Sequence, residues 1–263
     1  MTITLPHDLL ERGHVGAVLD GGVLHVTLDR PDARNAQTPA TWAALAAIGD
    51  ACSGGGVDIV VFRGAGTAFS AGLDRRMFTP EGIPGETSLA EMAAMADDAL
   101  ADAIAEFQRA FLWQREAPVL TVAAVQGPAV GAGFQLALAC DILLAAPSAT
   151  FAMRETSYGL VPDLGGTQPL VRAVGLARAI DICATGRTIG AEEGFLLGFV
   201  TRVVGDLEAG VAEVVSAVSS APPGAVAELL PLLSGAEGAS RNDQAVAERR
   251  AQVTRLRALL GGR

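Results

Sequence analysis

An α/β fold with a helical C-terminal region is what this sequence predicts, on three observations. Short runs rich in Val, Ile and Leu alternate with helix-period segments through the first two thirds of the chain. Hydrophobic residues make up 50% of 263 residues, enough to bury one large core. From about residue 190 the strand signals fade, and alanine-rich helical segments broken by "APPG" and "SGAEGAS" take over. The expected organisation is a core over residues 1–198 and a helical region over 199–263 that packs on the core or on a neighbouring subunit.

The strand-like runs, in order, are "AVLD", "VLHVTLD", "VDIVVFRG", "VLTVAAV" and "DILLAA". Between them, "PATWAALAAIGDAC" (39–52) opens with a Thr-Pro helix start. Residues 97–115 carry Leu100, Ile104, Phe107 and Phe111 at spacings of three and four. Ala117 to Cys140 is uncharged and long enough for a membrane span, but Pro118, Gln126, Gly127, Pro128, Gly131, Gly133 and Gln135 interrupt it. The segment reads instead as a buried strand, a loop "QGPAVGAG", a helix "FQLALAC" and a second strand. Residues 77–100, with "TPEGIPGETS", have the composition of a mobile loop, and no internal repeat stands out. Gln244 to Leu260 reads as an arginine-rich helix.

Composition removes several function classes. No lysine occurs, so Schiff-base chemistry is excluded and any phosphate is met by arginine or backbone. A net charge of −10 opposes a nucleic-acid or anionic-membrane surface. Cys52, Cys140 and Cys183 are odd in number and widely spaced, which gives neither a disulfide framework nor a metal site and fits a reducing cytoplasm. The N-terminus lacks the pattern of a signal peptide. All three histidines lie in the first 25 residues, with no triad or metal-helix pattern around them.

Two glycine-rich segments, "GAGTAFSAGLD" (64–74) and "GPAVGAGFQL" (127–136), follow strands, yet neither is a dinucleotide fingerprint or a Walker loop. Each can lend one backbone N–H to a shared oxygen, or its glycines serve only tight turns and close packing. The remaining chemistry lies in "FAMRETSYGLVPDLGGT", where Glu155 and Asp163 flank an apolar stretch. They read either as a proton-passing pair or as a helix cap and a turn residue.

The run "APVLTVAAVQGPAVGAGFQLALACDILLAAPSATFAMRETSYGLVPDLGGTQPLVRAVG", with "AFSAGLD", "LDRPDARNAQ" and "GAEEGFLLGFVTRVV", resembles the enoyl-CoA hydratase/isomerase (crotonase) family over almost the whole chain. The resemblance implies a spiral of ββα units with a C-terminal helical region, a homotrimer or dimer of trimers, and an acyl-CoA thioester as substrate. Coenzyme A is then part of the substrate, and no separate cofactor or metal is expected. Two N–H groups polarise the thioester carbonyl in the family, and they map to Leu73 and Ala132. CoA or substrate contacts are expected at Arg34, Ala36, Ala71, Asp74, Arg75 and Arg76; with no lysine available, Arg34 and Arg75 or Arg76 either meet the CoA phosphates or are solvated surface charges.

Hydratases of the family usually carry two glutamates. Here the first position is Gln135 and the second is Glu155. Gln hydrogen-bonds but takes up no proton at neutral pH, so the two-carboxylate route for adding water lacks a partner. A single glutamate resembles the family's isomerases, and an acid at Asp163 resembles the dienoyl isomerases. Glu155, Asp163 and Gln135 are the candidate catalytic residues, with isomerase-like proton transfer favoured. The alternatives are a hydratase acting with one glutamate and a non-catalytic acyl-CoA binder.

Overall fold

The computed structural model describes residues 3–261. A short helix α1 (His7–Arg12) leads into the hairpin β1 (Val15–Asp20) and β2 (Val23–Leu28), which is closed by Gly21 and Gly22 at φ 53° and 86°. Positive φ at both positions is the type I′ arrangement, whose twist matches that of the flanking strands. Helix α2 (Pro39–Ser53) is capped by Thr38, whose hydroxyl accepts from the Thr41 N–H at 3.3 Å. Then come β3 (Ile59–Gly64), α3 (Leu89–Ala93), α4 (Asp97–Leu112) and β4 (Leu120–Val125). The next elements are β5 (Pro128–Val130), α5 (Ala132–Ala139), β6 (Ile142–Ala145) and β7 (Thr150–Ala152). They are followed by α6 (Thr167–Val174), α7 (Leu176–Thr185), β8 (Ile189–Gly190), α8 (Ala191–Leu197) and β9 (Arg202–Val203). Helices α9 (Leu207–Ser219), α10 (Ala225–Ala236) and α11 (Arg241–Leu260) end the described chain.

The strands form a six-stranded sheet in the order β1-β2-β3-β4-β6-β9 and a three-stranded sheet in the order β5-β7-β8. Each strand of the large sheet from β2 onward pairs in parallel with the next. The chain leaves β4 for β5, passes through α5, returns to β6 and leaves again for β7. From β4 onward each turn of this spiral thus contributes one strand to each sheet, with helix between the turns. All six residues of β4 are buried, as expected for a strand covered on both faces. One core lies on the side of α2, α4 and α5, around Phe62, Phe69, Phe134 and Phe151. A smaller one, around Val61, Val122 and Leu144, is closed by Val211 and Val214 of α9.

Several sequence expectations change here. The uncharged run from Ala117 divides among β4, β5 and α5, and among the described residues no helix is long and apolar enough to cross a membrane. The expected loop "QGPAVGAG" contains β5, and the expected helix starts at Ala132 rather than Phe134. The segment read as a mobile loop is built: Ser88 and Glu91 cap α3 reciprocally, and Glu86 accepts from the Ala40 N–H at 2.9 Å. The large sheet takes in β9 beyond residue 198, whereas α10 and α11 bury no residue in this chain.

The stacking also produces a repetition that the side chains hide. Outside the named strands, Ser70 bridges to Ala129 and Gln37 to Leu73, both in parallel. Three residues beyond Ser70 comes Leu73, and three beyond Ala129 comes Ala132. Each is preceded by a glycine at positive φ, Gly72 at 84° and Gly131 at 52°. "SAGL" and "AVGA" share only the glycine, yet their backbones turn at the same place.

Candidate active site

The two turns approach each other directly. A methyl group placed on Gly72 would lie 2.4 Å from the Val130 carbonyl oxygen and 3.5 Å from the Ala132 nitrogen. Only a residue without Cβ permits that approach. Among the described residues, the N–H groups of Leu73 and Ala132 meet no protein acceptor. Ala132 opens α5, so its N–H belongs to the donors a helix leaves unpaired at its start. Two backbone donors on adjoining loops, both free, are what an oxyanion needs.

Glu155 begins a short 3-10 turn, Glu155–Tyr158, beside this pair. A methyl group on Gly131 would lie 3.4 Å from Glu155 Oε1, which places the carboxylate next to the Gly131–Ala132 peptide. Oε1 accepts from Gln135 Nε2 at 2.7 Å, while the buried Oε2 meets no partner. Burial pushes the Glu155 carboxyl up from its ordinary value, and hydrogen bonds from its own backbone and from Gln135 oppose that. Asp163 also pushes it up, as a lesser contribution. The tuning of Glu155 is therefore chiefly desolvation, with the like charge secondary.

Gln135 is 1% exposed and its amide has one orientation. Its oxygen accepts from the Leu164 N–H at 3.0 Å and the Gly166 N–H at 3.2 Å, so its nitrogen faces Glu155. Gly166 is required here, because a Cβ at that position would fall 2.6 Å from Gln135 Cγ. Asp163 stands just before this turn, exposed on the rim, with its carbonyl held by Gln108 Nε2 of α4 at 2.6 Å. The protein mass around its carboxyl raises its pKa.

The residues assigned to CoA divide into two groups. Arg34 is exposed in left-handed backbone at φ 50°, and its carbonyl accepts from the Ala71 N–H. Arg75 is exposed, donates to the Tyr158 hydroxyl at 2.9 Å and lies 6.0 Å from that ring's centroid. Asp74, by contrast, is 6% exposed and paired with Arg30 at 2.6 Å and Arg76 at 2.8 Å. Burial alone would raise its pKa, but the hydrogen bonds from Arg76 and Arg30 overcome this and hold it well below the carboxylate range. Arg30 also donates to the Ala36 carbonyl at 2.7 Å. Asp74, Ala36 and Arg76 are thus joined in one structural network, and of the three arginines assigned to CoA only Arg34 and Arg75 lack a carboxylate partner among the described residues.

Sequence reasoning missed the polar residues beneath the Leu73 turn: Asn35, Gln37, Ser70 and Trp42, all buried. Their polarity inside an apolar segment was the available signal, since buried polar groups require partners. The three cysteines are unpaired, and burial raises each thiol, that of Cys52 to about 11.

This architecture is the crotonase-type spiral. The profile of the enoyl-CoA hydratase/isomerase family matches residues 19–254, and the chain belongs to that family. A Thermobifida fusca YX protein, provisionally named an enoyl-CoA hydratase, superimposes with a TM-score of 0.93 at 41% identity over 100% of both chains. The same protein in complex with CoA gives 0.90 at 42% identity, covering 97% of each chain. The probable enoyl-CoA hydratase of Rhodobacter capsulatus is 37% identical over 187 residues, 71% of this chain and 67% of its own. The probable enoyl-CoA hydratase of Mycobacterium bovis is 37% identical over 187 residues, and there the match spans 64% of the relative's length.

Proposed function

We propose that this protein moves a proton at the carbon beside an acyl-CoA thioester, with Glu155 as the one proton-carrying group. The Leu73 and Ala132 N–H groups stabilise the enolate oxygen, a contribution of about 3 kcal/mol to the barrier for one such donor. Glu155 Oε2 takes the proton and returns it to another carbon, which is an isomerisation of an enoyl-CoA. The observation that carries this reading is the fixed amide of Gln135, which donates to Glu155 and offers no titratable group. Burial supports it too, because a raised pKa brings a carboxylate nearer the range where it exchanges protons at neutral pH. Asp163, on the rim, acts only through its charge, which adds a lesser upward push to the Glu155 carboxyl.

Hydration by one glutamate is the second reading, supported by the names of the relatives. The assay that separates them uses two substrates, a trans-2-enoyl-CoA for water addition and a 3-enoyl-CoA for double-bond migration. Faster migration than hydration supports the first reading. Robust hydration with slow migration overturns it. Deuterium exchange at the carbon beside the thioester tests both against a binder, which takes up acyl-CoA without exchange.

Arg34 and Arg75 supply the contacts to the CoA phosphates, with no cofactor beyond the substrate's own coenzyme A. The superposition on a structure that carries CoA supports the binding of CoA, and the exposure of both guanidiniums without a carboxylate partner supports their assignment. A homotrimer or dimer of trimers buries the apolar residues that α10 and α11 expose, among them Leu233, Val253 and Leu259. Three unpaired cysteines favour the cytoplasm.

A further inference from the structure

We propose that Ser70 is the positioning residue for the two backbone donors, fixing their separation from a single point. The inference rests on the reading that Leu73 and Ala132 bind the thioester oxygen.

Ser70 is fully buried. Its hydroxyl donates to the Asn35 carbonyl at 2.8 Å, which commits its one proton. It then accepts from Gln37 Nε2 at 3.0 Å and from the Gly72 N–H at 3.2 Å. The second of these bonds closes the turn that presents Leu73. Gln37 is itself fixed, because its Oε1 accepts from Trp42 Nε1 at 2.8 Å. Asn35 is fixed by donating from Nδ2 to the Ala65 and Ala68 carbonyls, both at 2.8 Å. The hydroxyl is thus the meeting point of a network whose outer members are already anchored.

The main chain of the same residue holds the other donor. Ser70 N–H donates to the Pro128 carbonyl at 3.1 Å, and the Ser70 carbonyl accepts from the Val130 N–H at 2.9 Å. These bonds set β5, and β5 runs straight into Gly131 and Ala132. Packing adds a third restraint, since a Cβ on Gly133 would lie 2.5 Å from the Ser70 carbonyl oxygen. Side chain to Leu73 and backbone to Ala132, both donors are referred to one residue that touches neither substrate nor the reacting atoms. Loss of its hydroxyl leaves the fold's strands paired and releases one donor only.

The test measures double-bond migration on a 3-enoyl-CoA and uses acetoacetyl-CoA as the binding probe, on the full-length protein with Ser70→Ala and the milder Ser70→Cys. Expected are a fall in kcat of about 10²-fold for Ser70→Ala, as for a misplaced reactive group, and a smaller fall for Ser70→Cys. CoA affinity stays near that of the wild type in both variants. The thioester carbonyl stretch of bound acetoacetyl-CoA should lie at lower frequency on the wild type than in solution, and should move back toward its free value in the same order. If Ser70→Ala does not fold, Ser70→Cys decides. A folded variant with wild-type kcat and an unchanged carbonyl stretch overturns the positioning role. A wild-type protein that binds acetoacetyl-CoA without shifting its carbonyl stretch overturns the donor-pair reading and this inference with it.

Discussion

Gln135 Nε2 donates to Glu155 Oε1 at 2.7 Å, so the single carboxylate at the centre of the site has one oxygen occupied and one free. On the proposed reading, the free oxygen is the atom that carries the proton. It also defines what each substitution around it should do.

Glu155→Gln removes the proposed proton carrier and leaves the side chain's shape. The expected result is a fall in kcat of about 10²-fold or more with little change in KM, measured by steady-state kinetics. Unchanged turnover would remove Glu155 from the mechanism.

The pH profile follows from the sign of the Glu155 shift. A general base works when deprotonated, and burial raises the pKa at which that happens. The rising limb of kcat/KM should therefore lie above the ordinary glutamate value of about 4.3. A limb at or below that value would contradict a desolvated base.

Gln135→Glu places a second carboxylate against Glu155. The Leu164 and Gly166 N–H groups stabilise charge on the new oxygen, while the two acids repel across the former hydrogen bond. One pKa should rise, and hydration of crotonyl-CoA should increase, since acid and base are then separate groups. A variant that folds and hydrates no faster than the wild type would show that the second carboxylate is not what limits water addition.

Asp74→Asn tests the network behind the Leu73 turn. Breaking a largely buried pair should cost about 3 kcal/mol near neutral pH, read from denaturant unfolding. Because the folded pKa of Asp74 lies below its unfolded value, its contribution is present above the unfolded value of about 3.9. It is lost as pH falls through the lower, folded value. The gap between wild type and variant should narrow in that acid window and nowhere above it.

Arg34→Ala and Arg75→Ala should each weaken CoA binding by about tenfold, the equivalent of one charge-assisted contact, in a calorimetric titration. Arg76→Ala should weaken it less, because that guanidinium is engaged by Asp74. Equal affinity in the Arg34 and Arg75 variants would remove both from the phosphate site.

Five strands of the large sheet were legible because they are continuous runs rich in Val, Ile and Leu, and a strand such as β4, buried on both faces, favours that composition, whereas the two-residue β9 was not. The small sheet was not. Its strands are two or three residues long, and Pro128–Val130 offers too few positions for any period to register. Glu155 and the glycines were visible as residue types, whereas the orientation of Gln135 was not, since it depends on N–H groups some thirty residues further along. Asp74 was likewise visible as a charged residue, whereas its pairing with Arg30 and Arg76 inside the protein was not.

The bridge between Ser70 and Ala129 also bears on where this chain tolerates changes in length. Both donors are counted from it, three residues along each strand, with a glycine at the second step. An inserted or deleted residue in 71–73 or 130–132 would turn one peptide away from the other, and no side-chain substitution could restore it. The exposed turn at Gly85, where an added Cβ meets nothing, is free of that arithmetic. Indels should accumulate there, and the two tripeptides should keep their length even where every residue but the glycine is exchanged.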